Sequence, residues 1–413
     1  MTRYLSALLL LLTPAISFSS DWLQWRGPER NCHVPKGEAW PDTIDESRVT
    51  KKWRVPLGPS YSGPIVAGDR IFVTETRDES HEVVRALDRR TGQELWKVEW
   101  EGAIKVPFFA ASNGSWIRST PACDGSHLYV AGIKDVIVCL NVENGDIVWK
   151  LDLAKQFGTD LPGFGTVCSP LLDGDSLYIQ GAASVVRINK ADGEVIWRAA
   201  PEDGGLFGSS MGASPFSSPV IAEVAGLRQL VVQTRKHLQG MDMETGKLLW
   251  NVEVPAFRGM NILTPHVMGD SIFTSTYGGG SFRFDVTRSD DGFAVAEGWK
   301  TKAQGYMSSP VTIGDSIYLH LRNQRFTCID PETGEARWTT RPFGKYWSMV
   351  VNGDRMLVLD QDGSLHLLKA NDEEFTQTAS MDVSESETWA HLAVANGEIY
   401  VRELDAMTVW TWK

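Results

Sequence analysis

Cysteine is scarce in this chain of 413 residues: there are five, none adjacent and none in a C-x-x-C pair. That excludes a zinc ribbon, a c-type haem attachment site and a thioredoxin-like redox motif. An odd count also leaves at least one thiol unpaired in a monomer. Positive charge is short too. Lys and Arg number 40 against 52 Asp and Glu, a formal charge of −12, and an acidic surface repels the phosphate backbone of a nucleic acid. After Leu12 no long apolar run appears, so no membrane-spanning helix is expected. Neither a P-loop, a nucleophilic serine motif nor a pair of catalytic carboxylates stands out.

Large aromatic residues, by contrast, recur with a period. Trp53, Trp96, Trp149, Trp197, Trp250, Trp299, Trp338 and Phe375 each close a short segment, spaced from the high thirties to the low fifties. Most follow an Asp or Asn and then a Gly, as in Leu87-Asp88…Thr91-Gly92…Trp96 and Ile188-Asn189…Asp192-Gly193…Trp197. A period of that length signals a repeat architecture. Six units open on Ser-Pro, Thr-Pro or Gly-Pro, at Pro64, Pro121, Pro170, Pro219, Pro265 and Pro310. A short apolar run, a Gly/Asp turn and an alternating run follow. That reads as four antiparallel strands per unit, hence propeller blades. The last unit ends after three strands at Trp412-Lys413, and Trp53 has no strands before it. The segment holding Trp53 is therefore expected to supply the outer strand of the last unit, which gives an all-β, eight-bladed propeller with no open edge.

The eight closing aromatics are expected to lie across the neighbouring blade and hold the ring together. The unit ending in Trp299 is irregular, and residues 287–295 are expected to lengthen its turn. Residues 1–20 are expected to be a signal peptide, with Arg3, the apolar run Leu5–Leu12 and the small residues Ser17 and Ser19. Residues 21–48 form an N-terminal extension and 49–413 the propeller. The mature chain is expected to be exported, soluble and monomeric. Cys139 and Cys328 hold matching places in two units, as buried strand residues rather than a bridge. Asp360-Gln361-Asp362-Gly363-Ser364 has the opening of a calcium loop but lacks its later Glu, and a β-turn is expected there.

The repeat Leu-Asp-x-x-Thr-Gly-x-x-x-Trp resembles that of PQQ-like propellers, a group that includes quinoprotein alcohol dehydrogenases and the envelope assembly lipoprotein BamB. Trp22-x-Gln24-Trp25-Arg26-Gly27-Pro28 and Gly226-Leu227-Arg228-Gln229-Leu230-Val231 resemble exported members common in Planctomycetes. The resemblance implies the fold. It would imply pyrroloquinoline quinone with calcium only for a dehydrogenase, and the adjacent cysteines of those enzymes are missing.

A propeller binds ligands where its inner strands begin. The residue three before each opening Pro, or its equivalent, gives Tyr61, Arg118, Val167, Phe216, Ile262, Met307, Tyr346 and Trp389. Four aromatics and one Arg in a ring suit a protein segment, a glycan or a planar molecule. Connections are longest after Trp96, Trp149 and Trp197, so one side of the mouth is built up by residues such as Trp116, Phe164 and Phe207. Phe108 and Phe109 lie on the same stretch. His266 and His391 are placed to face the channel. The function expected is a non-catalytic binding or assembly scaffold without a cofactor. The alternatives are a PQQ-dependent oxidoreductase and a glycan-binding module.

Overall fold

The computed structural model describes residues 21–201 and 215–412. The expected signal peptide and the segment around Phe207 lie outside the described residues. The rest form eight four-stranded antiparallel sheets. Blade 1 is built from Ile65–Ala67, Arg70–Arg77, His81–Asp88 and Glu94–Glu101. Blades 2 to 7 repeat that order, and in blades 2 to 6 the inner strand begins one residue after the opening proline. Proline has no N–H to lose from a ladder at that place.

Blade 8 closes the ring. Its inner three strands are Ala393–Ala395, Glu398–Arg402 and Ala406–Trp412, and Val49–Pro56 pairs antiparallel with the last of them. The two ends of the chain thus share one sheet, as expected.

Sequence pattern explains the layers. Middle strands face a neighbour on both sides, and Ser176–Gly181 is buried along its whole length. Outer strands alternate, as Glu94–Glu101 does, because one face meets solvent. Cys139 and Cys328 are buried strand residues, and all five cysteines are free.

The closing aromatics meet the next blade in a repeated way. Indole Nε1 donates to a turn carbonyl of the following blade from Trp53 (to Arg89, 3.1 Å), Trp96 (to Val142, 2.9 Å), Trp149 (to Lys190, 2.8 Å) and Trp197 (to Met243, 3.1 Å). Trp299 does the same to Pro331 and Trp338 to Asn371 (both 2.8 Å). The turn glycine lies against the indole. A Cβ on Gly92, Gly145, Gly193, Gly246 or Gly334 would stand 2.5–2.8 Å from the ring.

Three units depart from the expectation. Trp250 donates to Gln229 Oε1 of its own blade at 2.6 Å, while it shares an apolar cluster with Phe282, Phe284 and Val286 of the next blade. In that next blade, residues 287–295 are not a lengthened turn. They belong to two ten-residue strands, Gly280–Ser289 and Gly292–Thr301, joined by a tight turn at Asp290-Asp291. Phe375, expected to lie across the next blade, packs instead towards the preceding one, edge-on against Trp338 at 5.8 Å and near Phe343 at 5.6 Å. At the calcium-loop-like segment Asp360 Oδ1 accepts the N–H groups of Asp362 and Ser364 (both 3.0 Å), a turn between strands.

Candidate functional site at the propeller mouth

Inner strands begin at one end of the channel, and the repeat brings the same position of every blade there. Tyr61, Arg118, Val167, Phe216, Ile262, Met307, Tyr346 and Trp389 all line a single cavity of about 210 Å³. Phe164, Tyr306, Trp25 and His391 line it as well. A seam of hydroxyls fixes the ring behind them. Gly63 N–H donates to Thr120 Oγ1, Thr120 N–H to Ser169 Oγ and Ser169 N–H to Ser218 Oγ (2.9–3.1 Å). Trp347 and Leu392 N–H donate likewise to Ser308 and Ser348 (3.0 and 3.1 Å). Thr120, Ser169 and Ser218, each beside an opening proline, are thus interblade acceptors.

Aromatic rings run around the rim. Trp389 stacks on Tyr346 at 3.9 Å and leans on Tyr61 at 4.2 Å. Trp116 does not line the cavity; it packs edge-on behind Tyr61 at 5.3 Å. The tall side carries a second series. Phe216 meets Phe164 (5.6 Å), Phe164 meets Phe109 (6.1 Å) and Phe109 meets Phe108 (5.6 Å). Phe108 is 90% exposed, at the tip of the short helix Phe108–Asn113.

Reading the sequence left the N-terminal Trp-x-Gln-Trp-Arg-Gly-Pro segment without a role. It crosses the channel. Trp22 exchanges backbone bonds with Val66 of blade 1 (2.9 and 3.0 Å), and Leu23 carbonyl accepts from Cys123 of blade 2 (2.8 Å). Arg26 donates to the Pro310 carbonyl of blade 6 at 2.6 Å, and Arg30 to that of Pro170 of blade 3 at 2.7 Å. Cys32 and Val34 bond to Val351 of blade 7. Both arginines are buried and lie about 5.7–5.8 Å from the Trp25 ring. Trp25 therefore forms the cavity floor on a cationic layer.

Beneath that floor Arg26 Nε donates to Cys32 Sγ at 3.0 Å, and His391 Nε2 lies 3.6 Å from the same sulfur. Burial would raise the thiol's pKa, but Arg26 and His391 more than offset it and bring it down to about 7. His391 Nδ1 is 2.8 Å from the Leu392 carbonyl. His266 does not line the cavity. It is buried against Thr312, and burial, with Arg26 and His33, pushes its pKa down to about 3. Among the described residues no group of three or more His, Cys, Asp or Glu is placed to hold a metal.

The family described as outer membrane protein assembly factor BamB matches residues 80–340. The chain belongs to this family of PQQ-like propellers. BamB of Yersinia pestis is 22% identical over 363 residues, covering 83% of this chain and 84% of the relative. Among solved structures, BamB of Moraxella catarrhalis aligns with a TM-score of 0.62 at 15% identity, over 88% of this chain and 98% of that one. A quinohemoprotein alcohol dehydrogenase of Comamonas testosteroni aligns at 0.65 and 13% identity, over 95% and 80%. At such identities the structural matches speak for the fold alone.

The dehydrogenase branch poses a direct question about the mouth. Calcium takes six to eight oxygen ligands, with carboxylates as its usual charged donors. The described lining offers the Asn113 amide and serine and threonine hydroxyls, several already accepting N–H bonds from the preceding blade, and no carboxylate. It also places the cation Arg118 in the ring. The residues present do not fit a calcium-held quinone.

Proposed function

We propose that this protein is a non-catalytic scaffold in envelope assembly, exported from the cytoplasm, which holds a partner segment at the propeller mouth. One observation carries the reading. The Phe108–Phe109–Phe164–Phe216 series leads from a fully presented surface ring into a cavity lined by all eight repeat positions. Exposed apolar surface continuous with a pocket is the mark of a recognition site. Membership of the BamB family supports assembly as the task. Among the described residues no helix is long and apolar enough to cross a membrane. The test is a titration of the purified protein with pyrroloquinoline quinone and calcium, together with photocrosslinking in the source cells from a probe at position 109. The scaffold reading expects a discrete envelope-protein adduct and no quinone uptake. Saturable quinone binding with dye-linked alcohol oxidation would replace it with the oxidoreductase, and a glycan adduct with the glycan-binding module.

A further inference from the structure

The buried arginines Arg26, Arg30 and Arg402 each reach at least two acceptors. Arg402 gives its guanidinium to the carbonyls of Glu403, Ala406, Gly58 and Thr74. Arg89 pairs with Glu398 at 2.8 Å, and Arg85 with Glu75 at 3.1 Å. Arg118 at the mouth is different. One nitrogen donates to the Gly114 carbonyl at 2.6 Å, and the guanidinium lies 5.6 Å from the Tyr61 ring. Its Nε is buried with no partner, as are those of Arg402 and Arg85, but Arg118 has that one carbonyl as its acceptor and no carboxylate among the described residues. Burial pulls its pKa down, and the ionisable neighbours acting on it are Tyr61 and Tyr346, neither a carboxylate. A desolvated cation left this way is costly unless an anion completes it.

The two tyrosines supply matching donors. Both rings line the cavity, and neither phenol is hydrogen-bonded within the described residues. Burial, with Glu387 nearby, raises the pKa of both, so each keeps its O–H at neutral pH. Glu387 itself does not neutralise Arg118; its carboxylate accepts from Gln361 Nε2 at 3.1 Å. Arg118 and the two tyrosines thus line one cavity, joined along its rim by Trp389, with Met307 and Ile262 among its apolar walls. A carboxylate is the planar, two-oxygen acceptor that a guanidinium fork recognises.

We propose that Arg118, Tyr61 and Tyr346 form a carboxylate receptor for a polypeptide partner, with the apolar side chain beside that carboxylate lying against Trp389. The phenylalanine series on the tall side gives the rest of the partner chain a way out of the cavity. This rests on the scaffold reading for the class of ligand, and on the unpaired guanidinium for its charge.

The experiment compares short N-acetylated peptides ending in leucine, as the free acid and as the amide, by calorimetric titration. A third peptide carries an internal glutamate and an amidated end, and 3-phenylpropionate is the small-acid arm. The free acid is expected to bind about tenfold or more tighter than the amide, the size of a charge-assisted bond. Binding of the glutamate peptide instead assigns the site to a side-chain acid. Arg118→Met is expected to remove the preference. Should that variant not fold, the double variant Tyr61→Phe, Tyr346→Phe keeps both rings and is expected to reduce the preference several-fold. Equal binding of acid and amide overturns the receptor while leaving a peptide-binding scaffold. Binding of 3-phenylpropionate without any peptide overturns the polypeptide partner while leaving the anion site. Binding of none overturns both.

Discussion

Trp197 donates its indole N–H to the Met243 carbonyl of the next blade at 3.1 Å, and its ring lies against Gly246. Gly246 holds φ at +70°, and a Cβ there would stand 2.8 Å from the indole. Trp197→Ala is expected to cost about 3 kcal/mol, at the lower end for loss of a packed tryptophan because the ring is half-buried. Gly246→Ala is expected to destabilise too, through the positive φ as well as the contact. Chemical denaturation checks both, and an unchanged midpoint for Trp197→Ala would contradict the interblade role.

Trp250 depends on its own blade. Its N–H meets Gln229 Oε1, while Gln229 Nε2 donates to the Val224 carbonyl at 2.9 Å. Gln229→Leu leaves a buried indole N–H without an acceptor. The expected loss is about 1–3 kcal/mol, read as a lower denaturation midpoint at the same slope.

Glu82 binds blade 1 to blade 2. It accepts from Ile133 N–H at 2.6 Å and from Trp100 Nε1 at 2.9 Å. Burial outweighs those bonds and raises its pKa from 4.5 to about 7. The native state then holds this proton more tightly than the unfolded chain. Its contribution to stability is fully present below pH 4.5 and declines as pH rises to about 7. Glu82→Gln removes that titration. The melting temperature of the wild type relative to Glu82→Gln is expected to fall between pH 5 and pH 8. A difference independent of pH would contradict the assignment. Comparing the two proteins cancels Asp135, which acts in the same direction, and His266, which acts in the opposite one.

Trp22 pins the channel plug to blade 1 and is 2% exposed. With the plug in place Cys32 is buried, as are the other four cysteines. The wild type is expected to resist an aromatic disulfide reagent at pH 8. Trp22→Ala is expected to expose one thiol while the remaining four react only on unfolding. Mass mapping of the modified peptide identifies it, and modification anywhere but Cys32 would contradict the plug.

Repetition made the ring legible before any coordinates. Asp88, Gly92 and Trp96 act through local turn geometry, so their spacing alone counts blades and pairs Trp53 with the truncated last unit. The same counting placed Tyr61, Arg118 and Trp389 at one mouth. What stayed hidden depends on contacts far apart in the chain. No local signal ties Arg26 to Pro310 or Arg30 to Pro170, though two tryptophans and two arginines ahead of the first blade were a clue to burial. Nor does the spacing of the repeat show that Trp250 bonds to Gln229 on a different strand of its own blade. In residues 287–295 the departure from the repeat hid a plain alternating hairpin.

The central claim is that the mouth serves assembly rather than chemistry. Its direct test replaces the gene in the source organism with Phe109→Ala, Trp116→Ala, residues that support the mouth without forming the ring. The account predicts normal amounts of the variant protein and a fall in assembled outer-membrane proteins, as in the deletion strain. Unchanged assembly in both strains, with loss of a quinone-dependent oxidation in the deletion, would contradict it.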